Sequence, residues 1–197
     1  MPRYTCGIVW DRVDEGFFAI HEVMTMQSCY YSELDSPVGM LLLRGTGEAL
    51  TGMYMQKQRY RPPLPDNYIR DDKLFRAARE QMTAYFSGEL QSFDLPLAPE
   101  GTPFQKIVWR GLLDIPFGAT ESYGSLAKRI GHDGAARAVG LANGHNPIGI
   151  IIPCHRVIGA DGSLTGYGGG IERKQWLLEH ERRFGTQKTP LQAQLNW

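Results

Sequence analysis

Short apolar runs broken by turn-rich segments dominate the chain to about position 60, and apolar residues at helical spacing dominate after position 70. Tyr31 and Glu33, then Met40-Leu41-Leu42-Leu43, read as strands parted by Asp35-Ser36-Pro37-Val38-Gly39. A further strand, Leu50–Met55, follows Arg44-Gly45-Thr46-Gly47-Glu48, which predicts a hairpin. The prolines of Tyr60-Arg61-Pro62-Pro63-Leu64-Pro65 remove donors and fix φ, so this segment is a connector. Asp71 or Asp72 caps a predicted helix with Leu74, Ala77, Ala78, Met82, Tyr85 and Phe86 inward and Gly88 as its stop. Leu95-Pro96-Leu97-Ala98-Pro99-Glu100-Gly101 closes that helix off and is the predicted domain seam. Phe17-Phe18-Ala19-Ile20 reads as a short strand or as a peptide laid on the body, with no function assigned.

Thr102-Pro103-Phe104-Gln105 opens the second half as a capping box, with proline at the first helical position. Phe104, Ile107, Val108, Leu112 and Ile115 mark the buried face of its helix. A short helix from 122 or 123 to 130 turns Leu126, Ala127 and Ile130 inward. Gly131-His132-Asp133-Gly134 is a tight turn, and 135–143 is a second short helix. This is the pattern of a helix-turn-helix, and equally of plain scaffold. Its small side chains allow close approach to a groove, and Arg137 is its one charged residue, either a contact or an ordinary solvated arginine.

The chain has 197 residues, with 21 basic and 21 acidic side chains. That neutrality hides a split: ten basic and fourteen acidic residues to Glu100, eleven and seven from Gly101 onward, so the halves carry about −4 and +4. A polyanion would meet the second half. Three cysteines in a chain of this length make no disulfide framework, and no run approaches the eighteen or so apolar residues of a membrane span, so the expectation is a cytoplasmic protein without membrane association. The spacing of Cys6, Cys29 and His21 matches no short zinc-ligand pair, and neither a phosphate-binding P-loop nor a dinucleotide fingerprint is present; no metal or cofactor is expected.

The chemistry concentrates near position 154. The continuous apolar stretch Ile148-Gly149-Ile150-Ile151-Ile152, read as a core strand, ends at Pro153-Cys154-His155-Arg156. Cys154 is held by the preceding proline with two cationic side chains adjacent, which suits a thiolate nucleophile; the other reading is a buried free cysteine. Glu181 falls on the apolar stripe of the last helix with Trp176, Leu177, Leu178 and Phe184. It therefore needs a partner, either His155 or an arginine such as Arg182 or Arg110. Glu179 and His180 read as solvent-facing. The glycine-rich segment 159–170, with Tyr167 as its aromatic, is a pocket wall for a flat ligand or a surface turn.

These residues carry a resemblance. Ile152-Pro153-Cys154-His155-Arg156-Val157, Ser122-Tyr123-Gly124, Ala135-Ala136-Arg137-Ala138-Val139-Gly140, Asn146-Pro147, Gly166-Tyr167-Gly168-Gly169 and Trp176-Leu177-Leu178-Glu179-His180-Glu181 resemble the O6-alkylguanine-DNA alkyltransferases, strongly over 101–185 and more loosely from Asp35. The resemblance implies an α+β protein: a small amino-terminal strand-and-helix domain with a short extension (1–95), a mainly helical DNA-binding and alkyl-transfer domain with a helix-turn-helix and a reactive-cysteine loop (101–187), and a tail (188–197). It implies irreversible transfer of an alkyl group from O6 of guanine, with O4 of thymine as a further target, to Cys154 after nucleotide flipping in double-stranded DNA. His155 would act as a water-mediated base oriented by Glu181, and Asn146 would fix the turn. Tyr123 would repel the unflipped phosphate and help protonate guanine N3. Arg137 would fill the vacated stack; Ala135, Ala136 and Gly140 would line the minor groove. Tyr167 would border the base, Gly168 would offer its N–H to O6, the carbonyls of Cys154 and Val157 would read the exocyclic amine, and Lys174 matches a family lysine nearby.

Two departures stand out. Gly168 replaces a serine frequent in the family, which removes a donor and widens the pocket, and the residues before Asp35 match nothing assigned. The free protein is expected to be monomeric, with side-by-side assembly on DNA open. A non-catalytic recognition protein and a cysteine hydrolase are the competing readings; non-reactive relatives carry tryptophan where this chain has Cys154.

Overall fold

The computed structural model describes residues 28–185; Cys6, His21, the 17–20 segment and the tail lie outside them. The amino-terminal half is a four-stranded sheet in the order β3-β2-β1-β4, from β1 (Tyr30–Leu34), β2 (Leu41–Gly45), β3 (Leu50–Met55) and β4 (Ile69–Arg70). β1, β2 and β3 form an antiparallel meander, and β4 runs parallel to β1. All of β2 is buried, although an antiparallel strand in so small a sheet usually keeps one wet face. The reason is the proline connector, which crosses the outer face: Arg44 Nη2 donates to the carbonyls of Pro62 (3.0 Å) and Pro63 (2.6 Å), and its guanidinium lies between the rings of Tyr54 and Tyr68.

α1 (Arg76–Ser87) starts later than its sequence suggests. Asp71 does cap, but it caps a turn, accepting from the N–H groups of Lys73 and Leu74. The buried face is therefore Phe75, Ala78, Met82 and Tyr85, while Leu74 and Ala77 are exposed. Gly88 ends the helix at φ 84°, a conformation open to glycine without the Cβ clash. The 95–101 segment is stitched to the sheet, since Leu50 N–H donates to Pro96 O and Ala98 N–H to Leu50 O.

α2 (Pro103–Leu113) begins at the predicted capping box, with both reciprocal bonds formed. Its buried arc centres on Val108 and Leu112 and takes in Trp109, whose Nε1 donates to Ala142 O (2.9 Å); Ile107 faces outward instead. β5 (Glu121–Ser122) leads into α3 (Tyr123–Arg129), capped by the Ser122 hydroxyl. Leu126 and Ala127 are buried as expected and Ile130 is half-buried. A tight turn at 131–134 joins α3 to α4 (Ala136–Gly144), and α3 approaches α2 where a Cβ on Gly111 would meet Ile130 Cγ2 at 2.6 Å.

The apolar run 148–152 is a buried turn and not a strand. Ile150 sits at φ 68°, and the segment bridges to β3, where Met53 N–H donates to Pro147 O and Gly149 N–H donates to Met53 O. A one-turn 3-10 helix (Cys154–Arg156) and β6 (Val157–Ile158), parallel to β5, follow; α5 (Ile171–Phe184) closes the fold. One continuous apolar core runs through both halves, from Leu41 and Met53 to Leu126, Ile152 and Leu177. No described helix is long and apolar enough to cross a membrane.

Candidate active site

The site is organised by a buried loop with Asn146 at its base. Asn146 donates from Nδ2 to Ile152 O (2.7 Å) and accepts at Oδ1 from Ile148 N–H (3.0 Å), closing residues 146–152 into a ring that delivers Cys154 to the 3-10 turn. Cys154 N–H donates to Ile152 O, and Asn143 on α4 donates to Cys154 O (3.2 Å), so the cysteine backbone is held from both sides. The thiol is buried, which pushes it above the ordinary value; Asn146, the Lys174 cation and nearby backbone N–H groups offset part of that rise.

His155 and Glu181, on separate elements, meet as expected: His155 Nε2 lies 2.8 Å from Glu181 Oε1, both fully buried. The arginine partner is neither Arg182 nor Arg110 but Arg156, which donates from Nε to Oε2 (2.8 Å) and from Nη2 to Oε1 (3.0 Å). Tyr85 Oη from α1 and Gly118 N–H complete the carboxylate's shell (2.9 and 3.1 Å). Burial would push the Glu181 carboxyl up, but His155 and Arg156 outweigh it and hold the group well below the usual carboxylate range. Burial also lowers the His155 pKa despite Glu181, so the imidazole is neutral near pH 7 and Arg156 supplies the permanent counter-charge. With an ionised carboxylate accepting at Nε2, that nitrogen carries the proton and Nδ1 carries the lone pair. Nδ1 is buried and has no hydrogen-bond partner among the described residues. The residue next to Cys154 in the chain is thus an oriented imidazole with its basic atom unspent, as a general base requires.

Tyr123, Tyr167 and Lys174 lie within electrostatic reach of Cys154. Tyr123 Oη donates to Thr165 O (3.0 Å); the space for that hydroxyl is kept by Gly166, where a Cβ would come within 2.8 Å of Oη, while Gly140 stands at ordinary contact distance from the ring. Burial raises the Tyr123 and Tyr167 hydroxyl pKa values, and both rings lie close enough to Cys154 to feel its charge. Lys174 is fully buried and donates to Val157 O (2.6 Å) and Thr165 O (2.7 Å); burial pushes its pKa down to about 8. The carbonyls of Cys154 and Val157 thus already have partners: Cys154 O accepts from Asn143 and Val157, and Val157 O accepts from Lys174. On α4, Ala135, Ala136 and Gly140 are half-buried, while Arg137, Ala138 and Leu141 are exposed, and Arg137 has no side-chain partner among the described residues. A cavity of about 320 Å³ lies between α4 and the glycine-rich loop, with Gly140, Leu141, Tyr167 and Gly168 in its wall.

His180 is a correction. It is buried, stacked on Trp176 (5.0 Å, 9°), with Nε2 at 2.8 Å from Tyr85 O; Glu179 is exposed. No group of three potential metal ligands occurs among the described residues.

Both halves of the chain match known proteins. Residues 29–99 match the model of the 6-O-methylguanine DNA methyltransferase ribonuclease-like domain, and residues 103–183 match that of the 6-O-methylguanine DNA methyltransferase DNA binding domain. A Mycobacterium tuberculosis methylated-DNA–protein-cysteine methyltransferase is 56% identical over 153 residues, covering 78% of this chain and 92% of that relative. One from Methanosarcina acetivorans is 52% identical over 152 residues, covering 77% and 97%. The crystal structure of Mycobacterium tuberculosis OGT in complex with DNA superposes with a TM-score of 0.74 at 55% identity, covering 79% of this chain and 94% of that one.

Proposed function

Because the chain belongs to the 6-O-methylguanine DNA methyltransferase family, we propose that it repairs DNA by direct reversal, moving an alkyl group from O6 of guanine to Cys154. The observation that carries the reading is the buried Cys154 beside an oriented His155–Glu181 pair whose Nδ1 is unspent. The Cys154 proton passes through a water to His155 Nδ1, and the thiolate attacks the alkyl carbon. The S–C bond forms as the C–O6 bond breaks, the electron pair stays with the base, and a proton delivered at the guanine ring restores neutral guanine. A thioether is a poor leaving group, so each chain acts once.

A stacked base cannot reach a thiol that is 6% exposed, so the nucleotide leaves the helix to react. α3, the 131–134 turn and α4 act as a helix-turn-helix, with the small residues Ala135, Ala136 and Gly140 entering the minor groove and exposed Arg137 filling the gap in the stack. Tyr167 borders the base, the Gly168 N–H meets O6, and Tyr123 serves guanine N3. Lys174 braces the wall by holding Val157 O and Thr165 O together. Gly168 in place of a serine leaves room for alkyl groups larger than methyl.

Incubation with a duplex carrying one O6-methylguanine, followed by intact mass and peptide mapping, tests the reading. The expected result is one methyl on Cys154, saturating at one per chain and absent in Cys154→Ser. Binding to the lesion without any mass change would replace it with a recognition module.

A further inference from the structure

The acidic half of the protein carries one basic segment, and the fold places it against the glycine-rich loop and the end of α4. Between Glu48 and Asp66 there is no acidic residue, yet Lys57, Arg59 and Arg61 fall within five positions. This segment follows β3 and reaches the second half by two contacts. Arg59 N–H donates to Gly168 O (2.8 Å), on the loop assigned above to the flipped base. The Tyr60 ring stacks on His145, the residue that caps α4 (centroids 4.1 Å, 16°). Arg59 and Tyr60 thereby form the third wall of the 320 Å³ cavity that Gly140, Leu141 and Gly168 line from the other sides.

Three features show a loop built to present charge. Tyr60 is held at φ 64°, a left-handed conformation that an L side chain adopts only when its surroundings impose it, and its ring remains 47% exposed. The Arg59 guanidinium lies over that ring at 4.8 Å, which stiffens a side chain otherwise free in solvent. Lys57 and Arg59 are exposed and have no carboxylate partner among the described residues, whereas Arg76 has one and Arg70 and Arg129 have two each. Unpaired cations on a stiffened loop beside a nucleic-acid groove are suited to phosphate oxygens.

We infer that the 56–61 loop is a second DNA contact contributed by the amino-terminal half, with Lys57 and Arg59 on phosphates of the strand that supplies the flipped nucleotide. The inference rests on the alkyl-transfer reading for the position of the DNA. Its chemistry is sequence-independent, so it adds affinity and register without reading bases.

The test compares the full chain with Lys57→Ala/Arg59→Ala, titrating a fluorescent duplex with one O6-methylguanine over a range of salt. Alkylation of both proteins by free O6-benzylguanine, which has no phosphate, is timed in parallel. The expected result is a plot of log affinity against log salt shallower by about two, with affinity at low salt down roughly tenfold to a hundredfold. The rate with the free base stays within about twofold. An unchanged salt slope overturns the inference. So does loss of the free-base reaction in a folded variant, since the two side chains would then act on the base and not on phosphates. If the duplex binds but leaves wild-type Cys154 unmodified, the alkyl-transfer reading fails while the slope still decides this one.

Discussion

Glu181→Gln keeps the side chain's volume and removes one charge at the most constrained point in the molecule. The two oxygens accept five hydrogen bonds: from Tyr85 Oη, His155 Nε2 and Arg156 Nη2 at Oε1, and from Arg156 Nε and Gly118 N–H at Oε2. Glutamine has one oxygen to offer. Whichever way its amide turns, its NH2 group faces at least two donors, and in the less damaging orientation these are Arg156 Nε–H and Gly118 N–H. A buried donor left without an acceptor costs about 1–3 kcal/mol, and removing one partner of a buried ion pair costs about 3–5 kcal/mol. These two descriptions overlap, so the expected loss is about 3–5 kcal/mol in all. Urea unfolding at pH 7 measures it. The pH dependence adds a second check. The folded carboxyl is depressed from its ordinary 4.5, so its stabilisation is complete above pH 4.5 and is lost as pH falls through the folded value. The gap between wild type and variant therefore stays constant above that point and narrows only on acidification below it. A gap smaller than about 1 kcal/mol at pH 7, the scale of an exposed pair, would refute the reasoning. So would a gap that does not change in acid.

Two further outcomes follow from the same geometry. Arg137→Ala slows methyl transfer from duplex DNA far more than alkylation by free O6-benzylguanine, because the exposed arginine acts on the stack and not on the thiol; equal losses in the two assays exclude a role in flipping. Lys174 titrates near 8 in the folded chain against its ordinary 10.5, so the wild type gains stability over Lys174→Gln as pH rises from about 8 toward 10.5; a gap in urea unfolding that stays constant across that range would refute the assignment.

Features governed by local rules are legible in the sequence. The capping box at Thr102, the Gly88 stop and the β2–β3 hairpin each need only a few consecutive residues to specify them. Glu181 also declares itself, because a carboxylate on an apolar stripe demands a partner. What could not be read was how many partners it takes. Tyr85 looks like one more apolar position on α1, and its hydroxyl meets Glu181 across 96 residues of chain. His180 failed for a related reason: four aromatic rings from α1 and α5 pack around it, and only tertiary packing brings them together. In the sequence Arg156 reads only as an adjacent positive potential for Cys154. In a 3-10 turn, Cys154 and its two neighbours fan out, so Arg156 reaches the same carboxylate as His155. The 148–152 run misled because unbroken apolar character suits a buried strand and a buried turn equally well.

The bridge between β3 and the 148–152 turn has a consequence for how the molecule comes apart. Met53 gives its N–H to Pro147 and takes the N–H of Gly149, so the loop that presents Cys154 is anchored to a strand from the other half. The two halves match separate domain families, yet neither could be exchanged for a foreign partner without leaving these backbone groups dry and unpaired. The setting of the nucleophile is thus shared property: a change at Met53 bears on the Cys154 loop from outside the half that carries it.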